Sequence, residues 1–249
     1  MRDPNRVHRG VRVRAPGARF VPGARLASCV VVACLSAALG AAPPMIDATA
    51  PATWIDLETS RDAEDAVARI RSALERRGAM PSIEATFKQT RMTPLLARPI
   101  ESTGTVRHVQ GITLWITESP RRSKMRITER EVEFLYFDEE EGDGGAVHEV
   151  HALDERSAAL AAIGPEPDLD RIVRLYVVAD DADLLGDRDP EAWLAIRLTP
   201  RDRDERSSIR AISLLVDLAR GLIVRVVTHD LDGGSTSTEF VEIDERPDL

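Results

Sequence analysis

The stretch that decides the fold is Gly111–Thr128, GITLWITESPRRSKMRIT. Ile112, Leu114 and Ile116 alternate with Thr113, Trp115 and Thr117. Beyond the Ser119-Pro120 break, Met125 and Ile127 alternate with Lys124, Arg126 and Thr128. Successive side chains of a strand point to opposite faces, so a period of two describes two strands, each with one apolar side. If that side meets a packed core, the result is an ordinary antiparallel sheet. If it meets a hollow, the protein holds something hydrophobic.

The same period extends outward in both directions. Ile83, Ala85 and Phe87 alternate with Glu84, Thr86 and Lys88, and Val132, Phe134 and Tyr136 continue the series. An acidic turn, Asp138–Gly145 (DEEEGDGG), leads to a further strand from Val147 to Ala152, for a meander of about six strands. Downstream, Trp193–Pro200, Ile209–Leu218 and Leu222–Asp230 read as strands, followed by Thr236–Ile243 beyond the Asp232-Gly233-Gly234 turn. Helical spacing occurs at Asp62–Arg77, where Ala63, Ala66, Val67, Ile70, Ala73 and Leu74 share one side, with Thr59 or Ser60 as a cap and Gly78 as a stop. Asp154–Ile163 and the segment DLDRIVRLYVV (Asp168–Val178) read as further helices, and Asp180–Pro190 as a polar loop. A sheet of about ten consecutive strands cannot stay flat. The expected class is therefore α+β: a strongly curved antiparallel sheet with the helices covering its apolar concave face.

Composition bounds the rest. The chain has 249 residues, and seven arginines up to Arg25 precede the uncharged run LASCVVVACLSAALGAA (Leu26–Ala42). That run is too short to span a bilayer stably and contains the small-x-small pattern Ala38-Leu39-Gly40, so residues 1–40 are expected to be a cleavable signal peptide for export. Residues 41–58, rich in Ala, Pro and Thr, are expected to be a flexible linker, and 59–249 a single domain. Both cysteines, Cys29 and Cys34, lie in the apolar run. The exported chain would then lack disulfides and depend on its core. Val31-Val32-Ala33-Cys34 also resembles a lipoprotein cleavage box, which would leave a lipid anchor on Cys34. The formal charge of −9 excludes a basic nucleic-acid-binding face as the main feature, and aromatics at 4% leave few bulky side chains to fill a curved sheet.

No phosphate-cradling glycine loop, nucleophile elbow or zinc-protease helix is present. His148 and His151, three apart on a strand, are expected to point to opposite faces and to converge poorly on a metal. The DEEEGDGG turn lacks the ligand order of a calcium loop, and His229, beside acids, sits next to a Gly-Gly turn. The expectation is a binding protein without cofactor or metal. A hydrolase using His229 or His151 is the enzymatic alternative.

Ser82–Gln89 (SIEATFKQ), Arg98-Pro99, Gly104, Leu114-Trp115 and Pro120, then AIRLTPRD (Ala195–Asp202) and Ile212–Ile243, resemble in order and spacing the LolA family of outer-membrane lipoprotein carriers. The resemblance spans roughly residues 59–245. It implies a deeply curved antiparallel sheet, an unclosed β-barrel, with a helical lid over a hydrophobic cavity that accepts lipoprotein acyl chains. Acylated lipoproteins would be the cargo of a periplasmic monomer. An inner-membrane lipoprotein-releasing complex would be the donor and an outer-membrane receptor the acceptor. The expected acyl-chain-binding residues are Ile83, Phe87, Leu114, Ile116, Met125, Ile127, Phe134, Tyr136, Ile196, Leu198, Leu214 and Val226. Trp115 is expected on the face opposite Leu114, in a structural role. Family members carry an arginine latch directly before the proline of the LW…P segment. Here Ser119 stands in that place, which leaves Arg98 and Arg121 as latch candidates, with absence of a latch as the alternative. A binding module or Cys34-anchored receptor for another lipid or lipidated partner is the remaining alternative.

Overall fold

The computed structural model describes residues 61–78, 82–137, 146–153, 169–201 and 209–245. The expected signal peptide and linker, the acidic turn and the helix at 154–163 lie outside them. The described elements run α1 (Arg61–Arg77), β1 (Ser82–Met92), β2 (Ile100–Val109), β3 (Ile112–Ser119), β4 (Ser123–Ile127), β5 (Glu131–Phe137), β6 (Ala146–Ala152), α2 (Leu169–Leu175), β7 (Tyr176–Asp180), α3 (Ala182–Leu185), β8 (Trp193–Pro200), β9 (Ile209–Asp217), β10 (Leu222–Asp230) and β11 (Ser235–Glu245). The strands form one antiparallel sheet of eleven in the order β6-β5-β4-β3-β2-β1-β11-β10-β9-β8-β7. Two meanders, β1–β6 and β7–β11, are thus joined along the β1–β11 pair, and β6 and β7 are left as edges. The barrel is unclosed, as the family resemblance implies.

Its curvature follows from ring positions. Trp115 on β3 and Phe240 on β11 are three strands apart, about 14 Å across a flat sheet, yet their ring centroids are 5.8 Å apart. Trp115 also meets Phe87 on β1 at 5.1 Å. Such contacts require the sheet to bend inward on the face these rings share. Register shifts help it to do so. They fall between Glu84 and Thr86 opposite β11, Thr103 and Gly104 opposite β3, and Ile223 and Arg225 opposite β9. Each inserts an extra residue that increases local bending. Gly104, opposite Phe87, is required by close approach: a Cβ there would lie 2.0 Å from the Ile116 carbonyl oxygen and 2.9 Å from the Phe87 ring.

Two apolar clusters occupy the inner face. Ala63, Ala66, Ile70 and Ala73 of α1 pack with Ile172 of α2 on Val178, Leu194, Ile196, Leu198, Ile212, Leu214, Val216 and Val226. Alanine at these positions lets α1 lie close to the strands. The second cluster, on β1–β5, contains Ala85, Phe87, Val106, Trp115, Met125, Ile127, Val132 and Phe134. Phe240 packs against both. The C-terminal turn of α1 is fastened to the β9–β10 turn: Arg77 donates to the Gly221 carbonyl at 2.7 Å and Arg76 to the Leu218 carbonyl at 3.2 Å. Gly221 has φ +63, and a Cβ on it would lie 2.7 Å from the Ala73 carbonyl oxygen. Only glycine satisfies both the left-handed backbone and the contact.

Three readings of the sequence are corrected. Asp168–Val178 is not one helix: α2 stops at Leu175 and Tyr176–Asp180 is strand β7, consistent with the β-favouring run Tyr176-Val177-Val178, which is buried against the sheet. Asp180–Pro190 is not all loop, since the Asp181 side chain accepts from the Leu184 N–H and caps α3. The third correction concerns faces. β3 presents Trp115 inward, paired with Val106 and Met125. Leu114 and Ile116 therefore occupy the outer face, half-buried.

Candidate inner-face binding site

The inner face can be followed residue by residue through the pairing. Phe87 faces Phe240, Gln89 faces Thr238, Thr238 faces Val226, Val226 faces Leu214, Leu214 faces Ile196, and Leu198 faces Val178. On the other side Phe87 faces Gly104, Val106 faces Trp115, Trp115 faces Met125, and Met125 faces Phe134. Of the residues expected to bind acyl chains, Ile83, Phe87, Met125, Ile127, Phe134, Ile196, Leu198, Leu214 and Val226 are buried on this face. Tyr136 lies on it half-buried, its ring stacked on Phe134 with centroids 6.1 Å apart. Leu114 and Ile116 do not share the face, and Trp115 takes their place. The signal that could have revealed this is the pair of polar neighbours. Thr113 and Thr117, which alternate with Leu114 and Ile116, are both buried. Threonine suits a strand interior where its hydroxyl finds a partner, so hydrophobicity alone assigned the faces of this strand wrongly.

Sequence reading also missed a polar sector between the two clusters. Gln89, Ser102, Thr117, Thr228, Thr236 and Thr238 are at most 3% exposed. Gln89 pairs with both Ser102 and Thr238, Thr117 with Gly104, and Thr228 with Thr236, so they form one patch across β10, β11, β1, β2 and β3. The Gln89 amide donates to Thr238 Oγ1 at 3.0 Å. The Thr228 hydroxyl reaches the Thr236 carbonyl only at 3.5 Å. Thr236 Oγ1 is buried with no partner among the described residues.

Arg98, in the β1–β2 loop, and Arg121, after Pro120, are exposed. The arginines that hold α1 are its own: Arg76 and Arg77 at the β9–β10 turn, Arg69 to the Pro190 carbonyl, and Arg71 to Asp170 of α2 at 2.7 Å. His148 and His151 sit on opposite faces of β6, opposite Leu135 and Val132 respectively. His148 bonds Glu133 at 2.7 Å, which holds that carboxyl below its usual range. His151 lies edge-on to the Phe134 ring.

On the outer face Asp181, Arg197, Ser213 and His229 gather beneath α3. Ser213 Oγ is 3.2 Å from His229 Nε2, and Arg197 Nε donates to Asp181 at 3.2 Å. Burial works to raise the Asp181 pKa, but hydrogen bonds from Ser213, the Leu184 N–H and Arg197 outweigh it and keep the carboxylate charged. Burial, with Arg197 and Arg210 nearby, lowers His229. The types are those of a hydrolytic triad, but their order is not. The Ser213 hydroxyl donates to the Asp181 carboxylate, whereas a triad needs the acid on the imidazole and the imidazole as acceptor from the serine. The cluster ties β8, β9 and β10 to α3.

No protein-family model matches the chain, and no curated protein matches it. Among solved structures, a LolA superfamily protein from Nitrosomonas europaea aligns at 12% identity over 76% of this chain and 96% of that one, with a TM-score of 0.36. Mycobacterium tuberculosis lipoprotein LppX aligns at 11% over 75% and 98%, TM-score 0.41. The MucA/MucB complex from Pseudomonas aeruginosa aligns at 16% over 74% of this chain and 56% of that one, TM-score 0.38. In architecture this chain is similar to LolA-type proteins.

Proposed function

We propose that the protein is a hydrophobic-ligand carrier of the LolA type, exported to the periplasm. The inner face would take the acyl chains of lipidated proteins for delivery towards the outer membrane. The observation that carries this reading is the asymmetry of the inner face among the described residues: α1 and α2 cover the β7–β10 half, while the rings of the other half meet across the bent sheet, Trp115 of β3 against Phe87 of β1 and Phe240 of β11. A flexible thioether, Met125, and the rings of Phe87, Trp115, Phe134 and Phe240 line that half, a lining that adapts to chains of varied shape. One chain of about 16 carbons gains on the order of 10 kcal/mol on leaving water, at about 0.8 kcal/mol per methylene, so modest displacement of α1 by a ligand is energetically affordable.

The exposed positions of Arg98 and Arg121 favour a variant of this reading, in which release depends on α1 leaving the β9–β10 turn instead of on an arginine latch. The decisive experiment is recovery of the full-length chain from native membranes. Co-purification of acylated polypeptides supports the carrier. Free lipid without an acylated protein would replace it with a lipid-binding module, and absence of any bound hydrocarbon from both the recovered protein and an acyl-probe titration would remove lipid binding altogether.

A further inference from the structure

Of the seven large hydrophobic side chains exposed among the described residues, four stand at one corner of the sheet: Met92, Leu95, Leu96 and Leu231. Three belong to the end of β1 and the β1–β2 turn, and the fourth to the β10–β11 turn. Register brings the two turns together, because Met92 pairs with Ser235 across the seam between the meanders. Pro94 lies 3.8 Å from the place a Cβ on Gly233 would take. The leucines are presented by a formed turn: the Leu96 N–H donates to the Thr93 carbonyl at 3.1 Å and the Leu95 N–H to Thr93 Oγ1 at 3.5 Å. Leu95, at the apex, is 90% exposed. Apolar side chains gathered in water mark a contact surface, whereas scattered single ones do not.

Shape and charge narrow the partner. A stable protein–protein contact takes about 800 Å² from each side, more than four side chains on two turns supply. Entry into the interfacial layer of a bilayer needs only an apolar apex, with no complementary surface. The charges at the corner nearly balance, Arg91 and Arg98 against Asp230, Asp232 and Glu101. Asp232 is turned back to accept from the Gly234 N–H at 2.8 Å. Burial, with Asp232 nearby, raises the Asp230 pKa against the opposing pull of Arg91. Such a corner has no excess of positive charge with which to seek an anionic surface.

We propose that the β1–β2 and β10–β11 turns form a docking tip that enters the interfacial layer of a zwitterionic phospholipid bilayer, Leu95 and Leu96 leading with Met92 and Leu231 beside them. Docking of this kind goes beyond the carrier reading and is independent of it: the tip lies at the strand ends and holds the protein at a membrane whether or not the inner face carries lipid.

In the full-length chain, Leu95→Trp places a fluorescent reporter at the apex, and Ile112→Trp places one at the opposite end of the sheet, beside the β2–β3 turn. With phosphatidylcholine vesicles brominated along their acyl chains, the reporter at position 95 should be quenched beyond the parent chain's own tryptophans, and the one at position 112 should not. Adding Leu96→Ser and Leu231→Ser to the Leu95→Trp chain should raise the lipid needed for half-maximal quenching by about tenfold or more. The melting temperature should not change, since both side chains are exposed. Equal quenching of the two reporters, or none at position 95, overturns the tip even where the chain binds vesicles by another part, and so does an unchanged lipid requirement in the serine variant. Quenching seen only after phosphatidylglycerol is mixed into the vesicles overturns the zwitterionic surface. A lipid-free dimer that Leu96→Ser with Leu231→Ser dissociates would assign the tip to a second copy of the chain and overturn the membrane.

Discussion

Trp115→Ala set against Leu114→Ala tests the orientation of β3 on which the binding face depends. Trp115 is 6% exposed and lies between the Phe87 and Phe240 rings, with centroid distances of 5.1 and 5.8 Å. Removing such a ring should cost about 3 to 5 kcal/mol, because partial relaxation leaves a cavity and two aromatic contacts are lost. Leu114, half-buried on the outer face, should cost only about 1 kcal/mol. With a urea dependence of about 2 kcal/mol per molar, the midpoint should fall by about 2 M for Trp115→Ala and about 0.5 M for Leu114→Ala. Equilibrium urea unfolding followed by circular dichroism measures both. An acyl-probe titration on the same samples, in conditions where each remains folded, should show weakened binding only for Trp115→Ala. A larger loss for Leu114→Ala would refute the assignment and return the binding face to the opposite side of β3.

Gly104→Ala should destabilise the protein by about 3 kcal/mol or more, since its methyl would overlap the Ile116 carbonyl oxygen and the backbone cannot easily yield; thermal melts should show it. Gly221→Ala, in a left-handed turn against the Ala73 carbonyl, should cost about 2 kcal/mol and loosen α1 first, seen as faster amide exchange in the helix before global melting. Asp170→Ala should change stability by less than about 0.5 kcal/mol, because its ion pair with Arg71 is largely exposed. His229 faces Ser213, Arg197, Arg210 and Asp181, and its folded pKa lies below the usual 6.5. The unfolded chain therefore takes up the proton first, and stability is lost as pH falls through 6.5 towards the folded value. Melting curves of wild type and His229→Gln should run parallel at neutral pH and above, and diverge below it, with the wild type losing more. Parallel curves throughout would show that His229 is not desolvated.

Much of the architecture was legible because it depends on local rules. The two-residue period marks β1, β3, β4 and β5, a helical stripe ending at Gly78 marks α1, and Asp232-Gly233-Gly234 marks the β10–β11 turn. β2 was not separately distinguished: its run ESTGTVRHV has few apolar residues, and the glycine within it marks a crossing point with Phe87. Tyr176–Asp180 was hidden by its continuity with α2, where a buried strand and a buried helix share the same apolar composition.

What the sequence by itself determined is the alternation of the strands and the one-sidedness of the helix, because backbone geometry fixes those periods before any tertiary contact exists. Only the tertiary structure decided which side of β3 faces inward, that polar side chains from β1, β2, β3, β10 and β11 form one patch, and that Asp181 joins Ser213 and His229 in an order unlike a triad. Each of these depends on register between segments far apart in sequence. Shifting a strand by one residue exchanges its two faces without changing its pattern.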